Sequence, residues 1–117
     1  MARAYKQEEH GLQSQVIEYA LLKKCLVFRF NSGAAKTKNS FIRFYLICNT
    51  KKSKGLSDLM LVRNGRVFFL EIKSGKGKQS HSQKEFQELS TEYGAKYLCS
   101  SDWNEIIFHI NQFCAIN

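Results

Sequence analysis

At 117 residues, 44% of them hydrophobic and 13% aromatic, the chain has the usual size of one domain and enough apolar material to bury a core. No run is long or apolar enough to span a bilayer. No apolar h-region marks a secretory signal, and Cys25, Cys48, Cys99 and Cys114 show no CxxC spacing, which argues against a membrane protein, a secreted precursor and a zinc or disulfide framework. Lys and Arg number 18 against 10 Asp and Glu, a formal charge of +8 that favours a polyanionic partner. Buried free thiols with no disulfide partner, in a reducing cytoplasmic setting, are expected.

From about residue 8 to 24, Leu12, Val16, Ile17, Ala20 and Leu21 recur at helical spacing. At about 100° per residue, Glu9 falls near the centre of that stripe and Gln13 lies one turn from it, while Glu8 and Glu18 face solvent. Glu9, at the helix start, therefore points toward the rest of the fold, although a carboxylate there also suits the helix dipole. Residues 26–30 read as a short strand, 31–40 as a polar loop, 41–48 as an apolar, aromatic strand and 49–55 as a basic loop.

Residues 57–73 are the most informative. Two apolar runs flank Asn64-Gly65, the strongest short-range signal for a two-residue hairpin, because both central residues need positive φ. Counting outward, Arg63 faces Arg66, Val62 faces Val67, and Asp58 falls opposite Glu71. Directly opposed residues have Cβ atoms about 5 Å apart, where like charges repel. Lys73 shares a face with Glu71. That face also carries Met60, Val62, Val67 and Phe69; the other carries Leu59, Leu61, Phe68, Leu70 and Ile72, so both are apolar, as in a sheet covered on each side. Two carboxylates and a lysine thus meet where the strands leave the covered region. A divalent cation would relieve the repulsion.

Beyond the hairpin, 74–79 is a glycine-lysine loop. A helix starts at Ser80 or Ser82, with Ser80-x-x-Gln83 as a capping box, and runs to about Tyr93 with Gly94 as its C′ residue. Residues 96–100 form a strand. Asp102 to Glu105 open the last helix with a second capping box; it runs to about Cys114 with Trp103, Ile106, Ile107, Ile110 and Phe113 apolar. The whole is an α/β domain with a mixed sheet and helices on both sides. Its cations gather around the hairpin: Lys36, Lys38, Arg43, Lys51, Lys52 and Lys54 precede it, and Lys73, Lys76, Lys78, His81 and Lys84 follow. A basic rim around an acidic pair suits a phosphodiester and its metal.

Asp58 followed at a distance by Glu71-Ile72-Lys73 resembles the PD-(D/E)XK nuclease signature. Gly55-Leu56-Ser57-Asp58-Leu59, Phe69-Leu70-Glu71-Ile72-Lys73-Ser74 and Gly77-Lys78-Gln79-Ser80-His81-Ser82-Gln83 together resemble its VRR-NUC branch, which carries a G-x-P-D motif, an acidic-x-Lys motif and a basic loop ending S-x-x-Q at a helix start. Glu9, Gln13 and Val16-Ile17-Glu18-Tyr19 resemble that branch's first helix. The resemblance covers nearly the whole chain and is to the free-standing members found in phages. Ser57 stands where the family usually has proline, for which a local backbone difference without lost chemistry is expected. Residues 41–48 match no motif of the family.

The resemblance implies a single nuclease domain over residues 1–117, with a restriction-endonuclease-like αβββαβ core and a mixed central sheet flanked by helices. It implies Mg²⁺ as cofactor, with Mn²⁺ substituting. Asp58, Glu71, the Ile72 carbonyl and Glu9 would be ligands, Lys73 would position the attacking water, and Gln83 and Gln13 would support the site. Lys54, Lys76, Lys78 and His81 would hold the DNA backbone. The implied substrate is branched DNA, above all a four-way (Holliday) junction, cut by a homodimer because two symmetric cuts suit a two-fold axis. The surplus of apolar residues, including Phe41, Phe44, Tyr45 and Leu46, is compatible with a dimer. The expected setting is the cytoplasm of a bacterial or phage-infected cell. Alternatives are a nonspecific or flap-cutting DNase and a catalytically silent nucleic-acid-binding domain.

Overall fold

The computed structural model describes residues 9–30 and 55–115. In chain order they form α1 (Glu9–Leu22), β1 (Leu26–Arg29), β2 (Leu59–Arg63), β3 (Arg66–Ile72), α2 (His81–Glu92), β4 (Lys96–Ser100) and α3 (Trp103–Ala115). The strand expected at 41–48, the loops around it and Lys54 lie outside the described residues. Among the described residues the sheet order is β1-β2-β3-β4, antiparallel through β3 and parallel between β3 and β4. This is the mixed α/β arrangement read from the sequence. No helix among the described residues is long and apolar enough to cross a membrane.

The hairpin forms in the expected register, from Arg63↔Arg66 out to Leu59↔Leu70. Asn64 and Gly65 take φ of 53° and 77°, the left-handed pair that a type I′ turn requires. Leu59, Leu61, Phe68, Leu70 and Ile72 are fully buried under Leu12, Val16 and Ala20 of α1 and Ile106, Ile110 and Phe113 of α3. The opposite face is half-buried, and α2 packs there through Phe86, edge-on to Phe69 at a centroid distance of 4.9 Å.

The Arg63–Arg66 pairing sets two cations side by side, and the C-terminus of α3 accommodates both. Arg63 Nη1 donates to Cys114 O at 3.0 Å, Arg66 Nη2 donates to Phe113 O, and the Arg66 guanidinium lies 4.7 Å from the centroid of the Phe113 ring. The last carbonyls of a helix carry partial negative charge and lack intrahelical donors, so the two arginines satisfy and neutralise them.

Three local expectations need correction. Leu21 does not belong to the apolar stripe of α1; it is 55% exposed. Leu12, Val16 and Ala20 define the contact line, and Leu21 lies about 100° around the helix from Ala20, on the far side from Leu12. The helix also stops at Leu22 rather than near Lys24. Lys24 adopts a φ of 66°, Lys24 N donates to Leu21 O at 2.9 Å, and Cys25 N donates to Ala20 O at 3.0 Å, a left-handed stop of the Schellman type. Gly94, at φ 92°, ends α2 in the same way, as expected. Finally, the box at α3 is half formed. Asp102 Oδ2 accepts from Glu105 N at 3.3 Å, but the Glu105 carboxylate accepts from Ser100 Oγ at 2.6 Å, and that hydroxyl accepts Asp102 N at 3.0 Å. The serine ending β4 stands between them, accepting the cap's backbone N–H and donating to Glu105.

Candidate active site

The strand order brings Asp58, Glu71 and Lys73 to one end of the sheet. Asp58 precedes β2, Glu71 is the penultimate residue of β3, and Lys73 follows β3. The β2–β3 ladder ends at Leu59↔Leu70, and beyond it the Asp58 side chain takes over: Oδ2 accepts the Ile72 N–H at 2.9 Å. A buried strand-end N–H needs an acceptor, and a carboxylate is a strong one. On the other side, Phe30 N donates to Asp58 O at 2.8 Å, so Asp58 is gripped by Phe30, just past β1, and by Ile72 of β3.

Glu71 Oε2 lies 3.5 Å from Lys73 Nζ and accepts a hydrogen bond from Gln83 Nε2 at 2.9 Å. Both acids are buried, Glu71 at 3% and Asp58 at 9% exposure. Gln83 is fixed at both ends of its amide: its Oε1 accepts Ser80 N at 2.8 Å, closing the capping box, while its Nε2 faces Glu71. The cap and the contact with Glu71 are one arrangement, and together they orient the amide.

Gly55 explains how α2 comes so close. A Cβ there would stand 2.0 Å from Ser82 O and 2.6 Å from Gln83 N, so only glycine lets the segment leading into Asp58 lie against the first turn of α2. Ser57, at the position where proline is usual in the resembled family, is fully buried and donates its hydroxyl to Leu59 O at 2.8 Å. That bond shapes the entry to β2 without touching the carboxylates.

The structure therefore assembles Asp58, Glu71, Ile72, Lys73 and Gln83. Lys76 and Lys78 are exposed on the loop between β3 and α2; His81 is exposed on the first turn of α2, with Nε2 3.4 Å from Glu85 Oε2. Gln13 is buried on α1 beside Leu12. Glu9 is the first residue of α1, and its side chain lies outside the described residues, as does Lys54.

Sequence reasoning missed two neighbours. Tyr97 and Cys99 pair in β4 with Phe69 and Glu71, which puts both on the face of Glu71. Burial first, then the nearby Glu71 charge, push the Cys99 thiol up, with Lys73 acting against them. Burial likewise pushes the Tyr97 hydroxyl up, and a hydrogen bond from Gln79 Nε2 at 3.3 Å opposes it. Gln79 Nε2 also donates to Gln87 Oε1 at 2.8 Å, which pins the end of the lysine loop to α2 and β4. Alternation along β4 carried a signal for Tyr97 and Cys99; nothing in the sequence distinguished Gln79 from an ordinary loop residue.

Among the described residues no group of three or more His, Cys, Asp or Glu side chains gathers as a metal cage. The oxygens this sheet end can offer are hard ones: the buried carboxylates of Asp58 and Glu71 and, between Glu71 and Lys73, the Ile72 carbonyl. That set suits Mg²⁺, which takes one or two carboxylates and keeps waters in its remaining positions.

No protein-family model and no curated protein matches the chain. Among solved structures, a VRR_NUC domain is similar, with a TM-score of 0.62 over 90% of this chain and 96% of that one, at 18% identity. The chain thus has the fold of a VRR_NUC domain, the restriction-endonuclease-like α/β architecture, over nearly its whole length.

Proposed function

We propose that the chain is a Mg²⁺-dependent endodeoxyribonuclease of the VRR-NUC kind that cuts branched DNA, resolving four-way junctions as a homodimer. One observation carries the reading: Glu71, buried next to the Asp58 strand end, is held by Lys73 at 3.5 Å and Gln83 at 2.9 Å. A merely structural sheet end has no need of two buried acids and a lysine at its rim. The VRR_NUC fold and the +8 charge support the same reading.

Asp58, Glu71 and the Ile72 carbonyl would hold the cation, with Glu9 as a further ligand, directly or through water; Mn²⁺ is expected to substitute. When bound, the cation lowers the pKa of an attacking water and neutralises charge developing on the phosphate. Lys73 orients that water and stabilises the phosphorane-like charge. Gln83 keeps Glu71 in one rotamer, since its own amide cannot flip without losing the Ser80 N–H. Gln13 supports the site from α1. Lys54, Lys76, Lys78 and His81 hold the DNA backbone without reading sequence. Two-fold symmetry supplies the paired cuts that junction resolution needs. The setting is the cytoplasm of a bacterial or phage-infected cell.

The test is a panel of labelled linear duplex, flap and four-way junction at physiological salt with Mg²⁺, read alongside sedimentation with the junction. Paired cuts in the junction and a dimer support the proposal. Equal cutting of all three substrates makes the chain a general DNase. Tight binding without cutting makes it a silent binder, and a monomer on the junction removes the dimeric mechanism.

A further inference from the structure

Two thiols meet at the end of the sheet away from the acidic pair. Cys25 follows the left-handed stop of α1 and precedes β1, whose first residue pairs with Val62 near the hairpin turn; Cys114 sits in the last turn of α3. Their Sγ atoms are 3.5 Å apart, in hydrogen-bond contact, and both side chains are buried. The flanking backbone is anchored. Cys25 N donates to Ala20 O at 3.0 Å, and Arg63 joins the two segments by donating from Nε to Lys23 O at 3.3 Å and from Nη1 to Cys114 O at 3.0 Å. Sulfurs already in contact on two anchored segments have about 1.5 Å left to close to reach the disulfide distance of about 2.05 Å.

We propose that Cys25 and Cys114 form a modification site: an oxidised low-molecular-weight thiol converts the pair into an intramolecular disulfide that clasps the α1–β1 turn to the end of α3. Cys114, the more exposed of the two at 8% against 4%, reacts first. Its thiolate attacks one sulfur of the small disulfide and releases one small thiolate, which takes up a proton. Cys25 then gives up its proton to solvent, attacks the Cys114 sulfur of the mixed disulfide and expels the second small thiolate. Two protein thiols are oxidised and one small disulfide is reduced to two thiols. Burial pushes the Cys25 thiol up to about 12, so closure is slow at neutral pH and speeds up in alkali, because the thiolate is the nucleophile. The bond closes a loop from residue 25 to 114, most of the domain. Long loops restrict the unfolded chain most, and a rise in melting temperature of about 10 °C is expected. The inference does not depend on nuclease activity.

The experiment treats the full chain with oxidised glutathione at pH 8, blocks remaining thiols in denaturant, and maps peptides without reduction. The expected result is one Cys25–Cys114 linked pair, a raised melting temperature that dithiothreitol reverses, and no rise in Cys25→Ala or Cys114→Ala. Recovery of Cys25 and Cys114 as blocked free thiols, as stable glutathione adducts, or linked instead to Cys48 or Cys99 would overturn it. A linked pair without a rise in melting temperature would overturn the clasp while leaving the site of modification.

Discussion

Gly55→Ala tests how the acidic pair is held in place. The added Cβ would lie 2.0 Å from Ser82 O, 2.3 Å from Ser82 C and 2.6 Å from Gln83 N, all backbone atoms of the turn that opens α2. Ordinary contact begins at 3.4 Å, so the segment at 55 and the start of α2 must part by about 1.4 Å. The φ of Gly55 is outside the left-handed region, so the effect is steric alone. Either partner that moves takes a site contact with it: α2 carries the 2.9 Å bond from Gln83 to Glu71, and the 55–58 segment carries the 2.9 Å bond from Ile72 to Asp58. A displacement of that size takes either bond out of range. Overpacking costs about 1–3 kcal/mol, and losing a hydrogen bond to a buried charged group adds about 1.5–3 kcal/mol. The sum, about 2.5–6 kcal/mol, is a large part of the roughly 5–15 kcal/mol that holds a domain together. Urea unfolding followed by fluorescence of Trp103, the single tryptophan, reads it as a midpoint lower by about 2 M at a slope of about 2 kcal/mol/M. Gly77→Ala is the control: its Cβ would meet Ser74 O at 3.1 Å and otherwise the flexible Lys73 side chain, so a change below about 1 kcal/mol is expected. A Gly55→Ala midpoint indistinguishable from wild type would refute the close approach and the positioning derived from it.

Gln83→Glu retains a side-chain acceptor for Ser80 N but loses the donor to Glu71 and sets a like charge beside it, so cleavage should fall at least about tenfold and stability by about 1.5–3 kcal/mol; Gln83→Ala loses both contacts and should likewise lower activity, with stability down by about 2–4 kcal/mol. Arg66→Ala removes a donor to the end of α3 and the cation over Phe113, and should cost about 1–2 kcal/mol in the same urea assay. The Cys25 thiol is raised from 9.0 to about 12, chiefly by burial. The unfolded chain therefore releases this proton before the folded one does, and the stability it contributes below pH 9 is lost as pH climbs toward 12. Unfolding of Cys25→Ala measured across that window should show a shallower alkaline decline than wild type.

The hairpin was legible because Asn64-Gly65 leaves one low-energy turn, and the turn sets the register of every residue out to Leu59 and Leu70. The caps of α2 were legible for the same kind of reason: Ser80, Gln83 and Gly94 act within a few residues of where they stand. Gln83 was expected both to close the cap and to support the site, and one amide does both, accepting Ser80 N and donating to Glu71. What sequence could not give is contact between distant segments. Cys25 and Cys114 are 89 residues apart and touch only because α1 and α3 cover the same sheet face. Gly55 stands in the motif that resembles G-x-P-D, but nothing local says why glycine is needed there until α2 is placed on it. The Glu105 side chain departs from its pattern locally: the Asp102-to-Glu105 spacing predicts a reciprocal cap, but the Ser100 hydroxyl at the end of β4 donates to Glu105 at 2.6 Å instead. The hairpin register sets Arg63 opposite Arg66, but nothing local shows that the carbonyls ending α3 lie beside them to accept both.

The central claim is that Asp58, Glu71 and Lys73 form a hydrolytic centre. It is tested most directly by incubating a labelled four-way junction and its matched linear duplex with wild type and Lys73→Ala, each with Mg²⁺ and with excess EDTA. The account predicts cleavage of the junction by wild type with Mg²⁺ alone, and intact junction, still bound, with the variant. Junction cleavage that survives in Lys73→Ala or in EDTA would contradict it.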